Sequence, residues 1–269
     1  MYEYITVCEQ AARAGGTVLL DWQGRFNVRE KAPADLVTEA DLASQETIRQ
    51  MLLSAFPDHG FLGEEDTDTS DALEKTSPTG DQRPEFRWIV DPLDGTTNYV
   101  HRLNGFCVSV ALERKGNIIA ATVFDPVSGE CFTAEAGKGA FLNGQPIRTS
   151  NISQIGEALV AVSFSPKVRR SSPDVAAFVQ VLEVAQAIRR LGSAALNLSY
   201  LAAGRLDAYW ASSVKTWDVA AGVLLLKEAG GTITAIDGSP LDLDRPAFAA
   251  AATQTLHGRL IAELNRTAP

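Results

Sequence analysis

The sequence predicts an α+β protein in which mixed sheets are covered by layers of helices, and three patterns support that class. Alternating apolar segments between residues 86 and 134 are typical of an antiparallel meander. From residue 159 onwards, strand-like and helix-like segments alternate along the chain. Apolar residues at helical spacing over residues 4–22 and 39–56 supply helices that can cover such sheets.

Local signals define the two N-terminal helices. The first contains Gly15-Gly16, which weakens the helical pattern without removing it. The second follows Thr38, whose hydroxyl makes it a favourable N-cap residue. Its apolar spacing predicts that Leu42 and Ile48 face the interior.

The middle of the chain changes from a polar segment to strands. Residues 66–84 are polar and contain both proline and glycine, so we expect an exposed loop. Apolar and β-branched residues then dominate. The predicted strands are 86–90, 107–114, 117–125 and 130–134, with a turn at 115–117.

The second half carries the alternating pattern. Gly230-Gly231 is a strong stop signal after a markedly apolar helix. The predicted strands are 159–164, 206–210 and 233–236, and the predicted helices are 173–187, 194–203, 217–229 and 255–265. We therefore expect two halves, residues 1–150 and 151–269, which together can also count as one domain.

Composition limits the classes of function. The chain has 269 residues and a net charge of −9, which argues against a nucleic-acid-coating surface. No apolar run approaches the length of roughly 20 residues that a membrane span needs. The N-terminus lacks the pattern of a secretory signal, and three widely spaced cysteines suit a reducing compartment. We expect a cytoplasmic protein that does not bind membranes.

Acidic residues occur where apolar segments begin or end, and these positions are the candidate site. Glu64-Glu65 follows a short apolar pair, Asp91 and Asp94 follow a long apolar run, and Asp218 opens an apolar helix. Each position alone has an ordinary structural explanation, as an acidic loop, a turn or a helix start. Oxygen ligands from several segments are what Mg²⁺ requires, whereas Zn²⁺ favours His and Cys. The joint pattern indicates metal-assisted phosphate chemistry.

Two other phosphate-binding motifs do not fit the spacing. The segment Leu93-Asp94-Gly95-Thr96 is similar to the nucleophile motif of haloacid-dehalogenase-like phosphatases. That motif needs a second aspartate two residues earlier, where this chain has Pro92. A P-loop before Lys138 would need glycine at the position of Phe132.

Four motifs are spread along nearly the whole chain: residues 34–41 (ADLVTEAD), 63–65 (GEE), 88–98 (WIVDPLDGTTN) and 217–222 (WDVAAG). In their order and spacing they resemble the signatures of the inositol monophosphatase family of magnesium-dependent, lithium-sensitive phosphatases. The resemblance implies an αβαβα layered sandwich, a homodimer and two or three Mg²⁺ ions per site. It also implies a small phosphorylated metabolite as substrate, with Li⁺ as an inhibitor.

The resemblance also implies roles for individual residues. The implied metal ligands are Glu64, Asp91, the Leu93 carbonyl, Asp94 and Asp218. The implied catalytic residues are Glu65, Asp41 and Thr96. Glu64 or Glu65 is expected to hold a third ion through waters, and Asp41 pairs with the Thr96 hydroxyl and helps to orient the attacking water. The implied substrate-binding residues are Gly95, Thr96, Ser193, Ala194, Lys215 and Asp218. Ordinary structural roles remain open for some of these residues. Asp41 can be an acidic residue at a helix start, Lys215 a solvated loop residue, and Ser193–Ala194 a packing segment.

The identity of the substrate depends on a position where this chain departs from the family. Members that act on inositol phosphate have a glutamate seven residues before the last aspartate, and this chain has Ala211 there. Alanine cannot accept hydrogen bonds from ring hydroxyls, and losing a charge-assisted bond costs about 1.5–3 kcal/mol. Inositol monophosphate, fructose 1,6-bisphosphate, histidinol phosphate, nucleotide 3′-phosphates and NADP therefore all remain candidates. A regulatory or RNA-associated binding protein is the non-enzymatic alternative, and the acidic balance makes a nucleic-acid partner unfavourable.

Overall fold

Two large sheets, a separate two-stranded sheet and three helical layers form the described part of the protein. The computed structural model describes residues 3–25, 28–32, 35–66, 84–165 and 168–266. The helices are α1 Tyr4–Trp22, α2 Glu39–Ala55, α3 Thr96–Val100, α4 Pro173–Val184, α5 Ala194–Ala202, α6 Thr216–Glu228 and α7 Gln254–Leu264. The first nine strands are β1 Val28–Ala32, β2 Asp35–Thr38, β3 Gly60–Gly63, β4 Phe86–Asp94, β5 Cys107–Arg114, β6 Asn117–Asp125, β7 Glu130–Glu135, β8 Gly139–Leu142 and β9 Gln145–Ile147. The others are β10 Leu159–Ser163, β11 Ala187–Arg189, β12 Ala208–Ala211, β13 Thr232–Ala235 and β14 Phe248–Ala251.

The larger sheet is an antiparallel meander extended by one parallel strand at its edge. Its seven strands lie in the order β3 to β9, with only β3 and β4 parallel to each other. Along β4, Trp88 and Val90 pack on the face of α1 and α2, while Ile89 packs on the opposite face. Because successive side chains point to opposite faces, both faces of β4 are buried and its sequence is continuously apolar.

The smaller sheet has five strands in the order β11-β10-β12-β14-β13. One face packs on α5 and α6, and the other packs on α4 and α7. Since α5 and α6 also cover the far face of the large sheet, the layers run helix, sheet, helix, sheet, helix. The predicted αβαβα sandwich is therefore confirmed.

Glycines allow the first helical layer to approach its neighbours. A Cβ on Gly15 would lie 2.6 Å from Ile48 of α2, and one on Gly16 would lie 2.7 Å from Phe124 of β6. The two glycines that weaken the helical pattern are therefore where α1 touches the core most closely. On α2 the prediction for Leu42 is wrong: it is 48% exposed, and the polar Ser44 and Gln45 occupy the inner face instead.

Several strands were not evident from local patterns. The helix predicted over 173–187 ends at Val184, and residues 187–189 form β11 because they pair with β10. Residues 248–251 (FAAA) form the buried strand β14 between two partners, although alanine is a poor strand former. Most of the predicted 66–84 loop lies outside the described residues. Nothing in the structure tests the division at residue 150.

None of the helices in the described part of the chain combines the length and apolarity that crossing a bilayer requires.

Candidate active site

The site is built around the end of β4, whose last seven residues are all buried. Asp91 and Asp94 lie in the last residues of this strand, where its pairing with β5 becomes irregular. Asp91 is 1% exposed and Asp94 is 8% exposed. Asp91 Oδ1 accepts a 2.9 Å bond from the Leu93 amide, and Ser44 of α2 donates to the Pro92 carbonyl at 3.1 Å. These bonds hold the strand end against α2.

Carboxylates from three separate segments interact electrostatically at the end of β4. Burial raises the pKa of Asp91 well above its usual value, and the charges of Glu64, Asp94 and Asp218 raise it further. Burial and the Asp94 charge raise the pKa of Asp218 to about 7, although Asp218 accepts a 2.7 Å bond from the Lys215 amide. Like charges in a site of low polarity disfavour each other's ionised forms.

The donor chemistry of this cluster fits a hard divalent cation. All of its side chains offer carboxylate oxygens, and their mutual repulsion is what a bound cation would relieve. Within the described ranges of the chain, no three Asp, Glu, His or Cys side chains already converge as a finished metal-ligand set. The carboxylates are neighbours rather than a preassembled cage. The assignment of Glu64, Asp91, Asp94, Asp218 and the Leu93 carbonyl as ligands remains a prediction.

A short helix begins immediately after Asp94. Gly95 has φ +96° and caps α3, and a Cβ at this position would lie 2.9 Å from the Gly105 carbonyl oxygen. Only glycine adopts this conformation without strain, so the turn brings the Gly95 and Thr96 amides next to the carboxylates. The Thr96 hydroxyl donates to the Leu93 carbonyl at 3.0 Å.

Asp41 forms a capping box at the start of α2. Its Oδ2 accepts bonds from the Thr38 amide at 2.9 Å and from the Thr38 hydroxyl at 2.5 Å. The side chain is 1% exposed, so this pairing takes place inside the protein. A bond from Thr96 to Asp41 requires the Thr96 hydroxyl to rotate away from Leu93, because a hydroxyl has a single hydrogen to donate.

The acidic 3₁₀ turn at residues 64–66 is fixed by α2. Gln45 Oε1 accepts a 2.9 Å bond from the Glu65 amide, and its Nε2 donates to Asp66 at 3.1 Å. Asp66 also forms an ion pair with Arg49. Asp66 therefore has a structural role. Glu64 and Glu65 lie on the same turn, and their side chains are half-buried. Ser44 and Gln45 were not predicted from the sequence. Their only signal is that they lie at helical spacing from the residues of α2 that face the interior.

Ser193 and Ala194, two of the predicted substrate residues of the C-terminal half, lie close to Asp94. The Ser193 hydroxyl donates to Asp94 Oδ2 at 2.6 Å, and the Ala195 amide donates to the same oxygen at 2.6 Å. Burial raises the pKa of Asp94, and these bonds, with one from the Ala194 amide, act in the opposite direction. Lys215 is exposed and contributes its amide to Asp218.

These features define a class: a five-layered α/β protein with a buried carboxylate cluster beside a glycine-capped helix. A sequence model described as the inositol monophosphatase family matches residues 1–268. The chain belongs to the inositol monophosphatase family. This membership confirms the predicted resemblance and the predicted enzyme class, phosphoric monoester hydrolase.

Individual relatives agree with the family assignment. An inositol-1-monophosphatase of Rhizobium meliloti is 42% identical over 221 residues, which are 81% of this chain and 79% of that protein. A Nus factor SuhB of Xylella fastidiosa is 38% identical over 239 residues, which are 87% of this chain and 82% of that protein. The crystal structure of the extragenic suppressor protein suhB of Bartonella henselae superposes with a TM-score of 0.87. That protein is 34% identical, and the match covers 98% of each chain.

Proposed function

We propose that this protein hydrolyses a small phosphate monoester in a reaction that depends on Mg²⁺, with water attacking the phosphorus in line. The observation that carries the proposal is the crowding of Asp91 by Glu64, Asp94 and Asp218 at the end of β4. Two or three bound Mg²⁺ ions would neutralise the phosphate and make a water more acidic, and Li⁺ is expected to inhibit. No covalent phosphoenzyme is part of the proposal.

The residues of the chain have distinct roles in this scheme. The amides of Gly95 and Thr96 hold the phosphate at the start of α3, in the position that the αL turn gives them. Glu65 and Asp41 orient water. Thr96 can pair with Asp41 once its hydroxyl no longer donates to the Leu93 carbonyl. Lys215 meets a further negative charge on the substrate from its exposed position.

Inositol monophosphate is the first substrate to test, because a relative with 42% identity has the name inositol-1-monophosphatase. Ala211 is nevertheless completely buried and offers no polar atom to a ring hydroxyl. Its cross-strand neighbour Ser163 is neutral and accepts a 2.9 Å bond from the Tyr209 hydroxyl. Fructose 1,6-bisphosphate, histidinol phosphate, nucleotide 3′-phosphates and NADP form the rest of the panel.

The decisive experiment measures phosphate release from this panel with and without Mg²⁺. We expect release from at least one monoester, and we expect EDTA to stop it. In Asp91→Asn the amide cannot supply the negative charge that a cation needs, so turnover falls to background. The fold is retained, because the substitution removes a buried charge that three other acids oppose. Full turnover by a folded Asp91→Asn protein would show that the metal assignment is wrong.

We also propose that the protein is a cytoplasmic homodimer. Helix α4 exposes large apolar side chains three residues apart, Val179 at 45% and Leu182 at 50%. The neighbouring strand β11 forms an edge of the small sheet. Apolar side chains beside a strand edge are suited to an interface with a second copy. Cys8, Cys107 and Cys131 are all buried free thiols, which is compatible with a reducing compartment.

A binding role is the second candidate, because a relative with 38% identity has the name Nus factor SuhB. The net charge of −9 opposes a nucleic-acid partner. An RNA mobility-shift titration at two salt concentrations tests this directly, and we expect no shift. A shift that weakens with salt would favour the second candidate.

A further inference from the structure

The N-terminus of α5 binds one oxygen of Asp94 across the boundary between the two halves of the protein. Ser193 and Ala195 both donate to Oδ2 at 2.6 Å, and the Cys107 thiol approaches the same oxygen at 3.9 Å. Ser193 and Asp94 are 99 residues apart in the chain and are both buried. The first turn of α5 and its N-cap residue therefore fix the orientation of this carboxylate.

The one hydrogen that Ser193 can donate is already used. A serine hydroxyl donates one hydrogen bond and can accept two. Ser193 donates its hydrogen to Asp94, accepts a 3.1 Å bond from the Leu196 amide as the N-cap of α5, and lies 3.6 Å from the Cys107 sulfur. A bond from Ser193 to a substrate oxygen would therefore break its bond to Asp94. This arrangement opposes a role in which Ser193 donates a hydrogen bond to the substrate.

We propose that Ser193 is a positioning residue: with the Ala195 amide it fixes Asp94 Oδ2, so that Oδ1 faces the cation. The inference rests on the proposed function, since it assumes that Asp94 binds Mg²⁺. Outer groups that orient a metal ligand change metal affinity typically by 10–100-fold when they are removed. The C-terminal half thereby contributes to the metal site through α5 as well as through Asp218.

The positioning role of Ser193 must be distinguished from the stability that Ser193 provides as the N-cap of α5. Thr253 provides a matched control, because it is the N-cap of α7, accepts a 3.2 Å bond from Leu256 and donates a 2.9 Å bond to Ile152. It thus makes the same two kinds of bond as Ser193, without an acidic partner. Thr253→Ala is therefore expected to lower the melting temperature to a similar extent as Ser193→Ala does through its cap.

The experiment titrates Mg²⁺ by calorimetry into the wild-type protein and into Ser193→Ala, Ser193→Thr and Thr253→Ala, and measures kcat and KM for the best ester of the panel. We expect Ser193→Ala to weaken Mg²⁺ binding about 10-fold and to lower kcat at fixed Mg²⁺ with little change in KM. Ser193→Thr keeps the donor and restores affinity. Thr253→Ala loses stability and keeps its affinity for Mg²⁺.

Each outcome has a defined meaning. Ser193→Ala with wild-type Mg²⁺ affinity, or with a raised KM and unchanged kcat, overturns the positioning role. A wild-type protein that neither binds Mg²⁺ nor releases phosphate overturns the proposed function instead. If Ser193→Ala does not fold, Ser193→Gly replaces it, because glycine is tolerated at an N-cap and also lacks the donor.

Discussion

At the scale of single residues, each of the site carboxylates Asp91, Asp94 and Asp218 accepts a hydrogen bond from a backbone amide. Asp91 accepts from Leu93, and Asp218 accepts from Lys215. Asp94 is bound in the same way by the first turn of α5. Such bonds stabilise the charged form and fix the direction of the second oxygen. The backbone therefore orients each of these carboxylates individually, although together they do not form a finished ligand set in the described residues.

Gly95→Ala tests the most constrained backbone position of the site. The left-handed conformation and the close Gly105 carbonyl together predict a loss of about 2–4 kcal/mol in the free energy of unfolding. Gly116→Ala is the control, because Gly116 has φ +83° and a Cβ added there would meet no atom within 4 Å. Urea denaturation of both variants measures the difference. Equal losses would mean that the Gly105 contact contributes nothing.

At the scale of elements, the α5–α6 pair is the central feature, because it packs against both sheets. A Cβ on Gly222 of α6 would lie 2.5 Å from the Cβ of Leu198 on α5. Glycine therefore lets the two helices approach closely enough to fill the space between the sheets. Ser193 begins α5, and Asp218 lies in the first turn of α6, so this packing also sets the distance between two parts of the site.

Gly222→Ala is expected to destabilise the protein although alanine favours helices. Overlap with Leu198 costs about 1–3 kcal/mol and exceeds the gain in helix propensity of about 1 kcal/mol. Gly258→Ala in α7 is expected to stabilise the protein, because Gly258 is exposed and has open space around it. A gain of about 0.5–1 kcal/mol is expected there. Thermal and urea unfolding of the two variants should move in opposite directions.

At the scale of the whole molecule, the site lies where the large sheet meets the central helices. The large sheet supplies Asp91 and Asp94, α2 fixes the acidic turn, and the central helices supply Asp218 and the groups that bind Asp94. Contacts among these layers determine the site, so its geometry depends on the complete sandwich. The exposed face of α4 lies in the outermost layer, on the other side of the small sheet.

Leu182→Glu on α4 tests the proposed homodimer. A buried glutamate without a partner opposes association, so we expect a shift from dimer to monomer. Leu42→Glu on α2 is the control, because Leu42 is 48% exposed and Leu182 is 50% exposed. Light scattering after size-exclusion chromatography measures the mass of each variant. Wild-type protein that is monomeric, or Leu182→Glu that remains dimeric, would contradict the assignment of α4.

The sequence by itself determined the fold class, most element bounds and the acidic residues of the candidate site. Apolar periodicity specified α1, β5 and β6 because local spacing decides which face of an element can be buried. The spacing of Asp91 and Asp94 separated this family from the haloacid-dehalogenase-like phosphatases for a similarly local reason.

Only the tertiary structure decided which groups those residues contact. Strand β14 has weak local propensity and exists because β12 and β13 pair with it. The motif around Ser193 predicted a substrate-lining residue, yet its hydroxyl donates to Asp94, 99 residues away. A hydroxyl has one hydrogen, and the acceptor that receives it is chosen by distance in space, which no local pattern in the chain encodes.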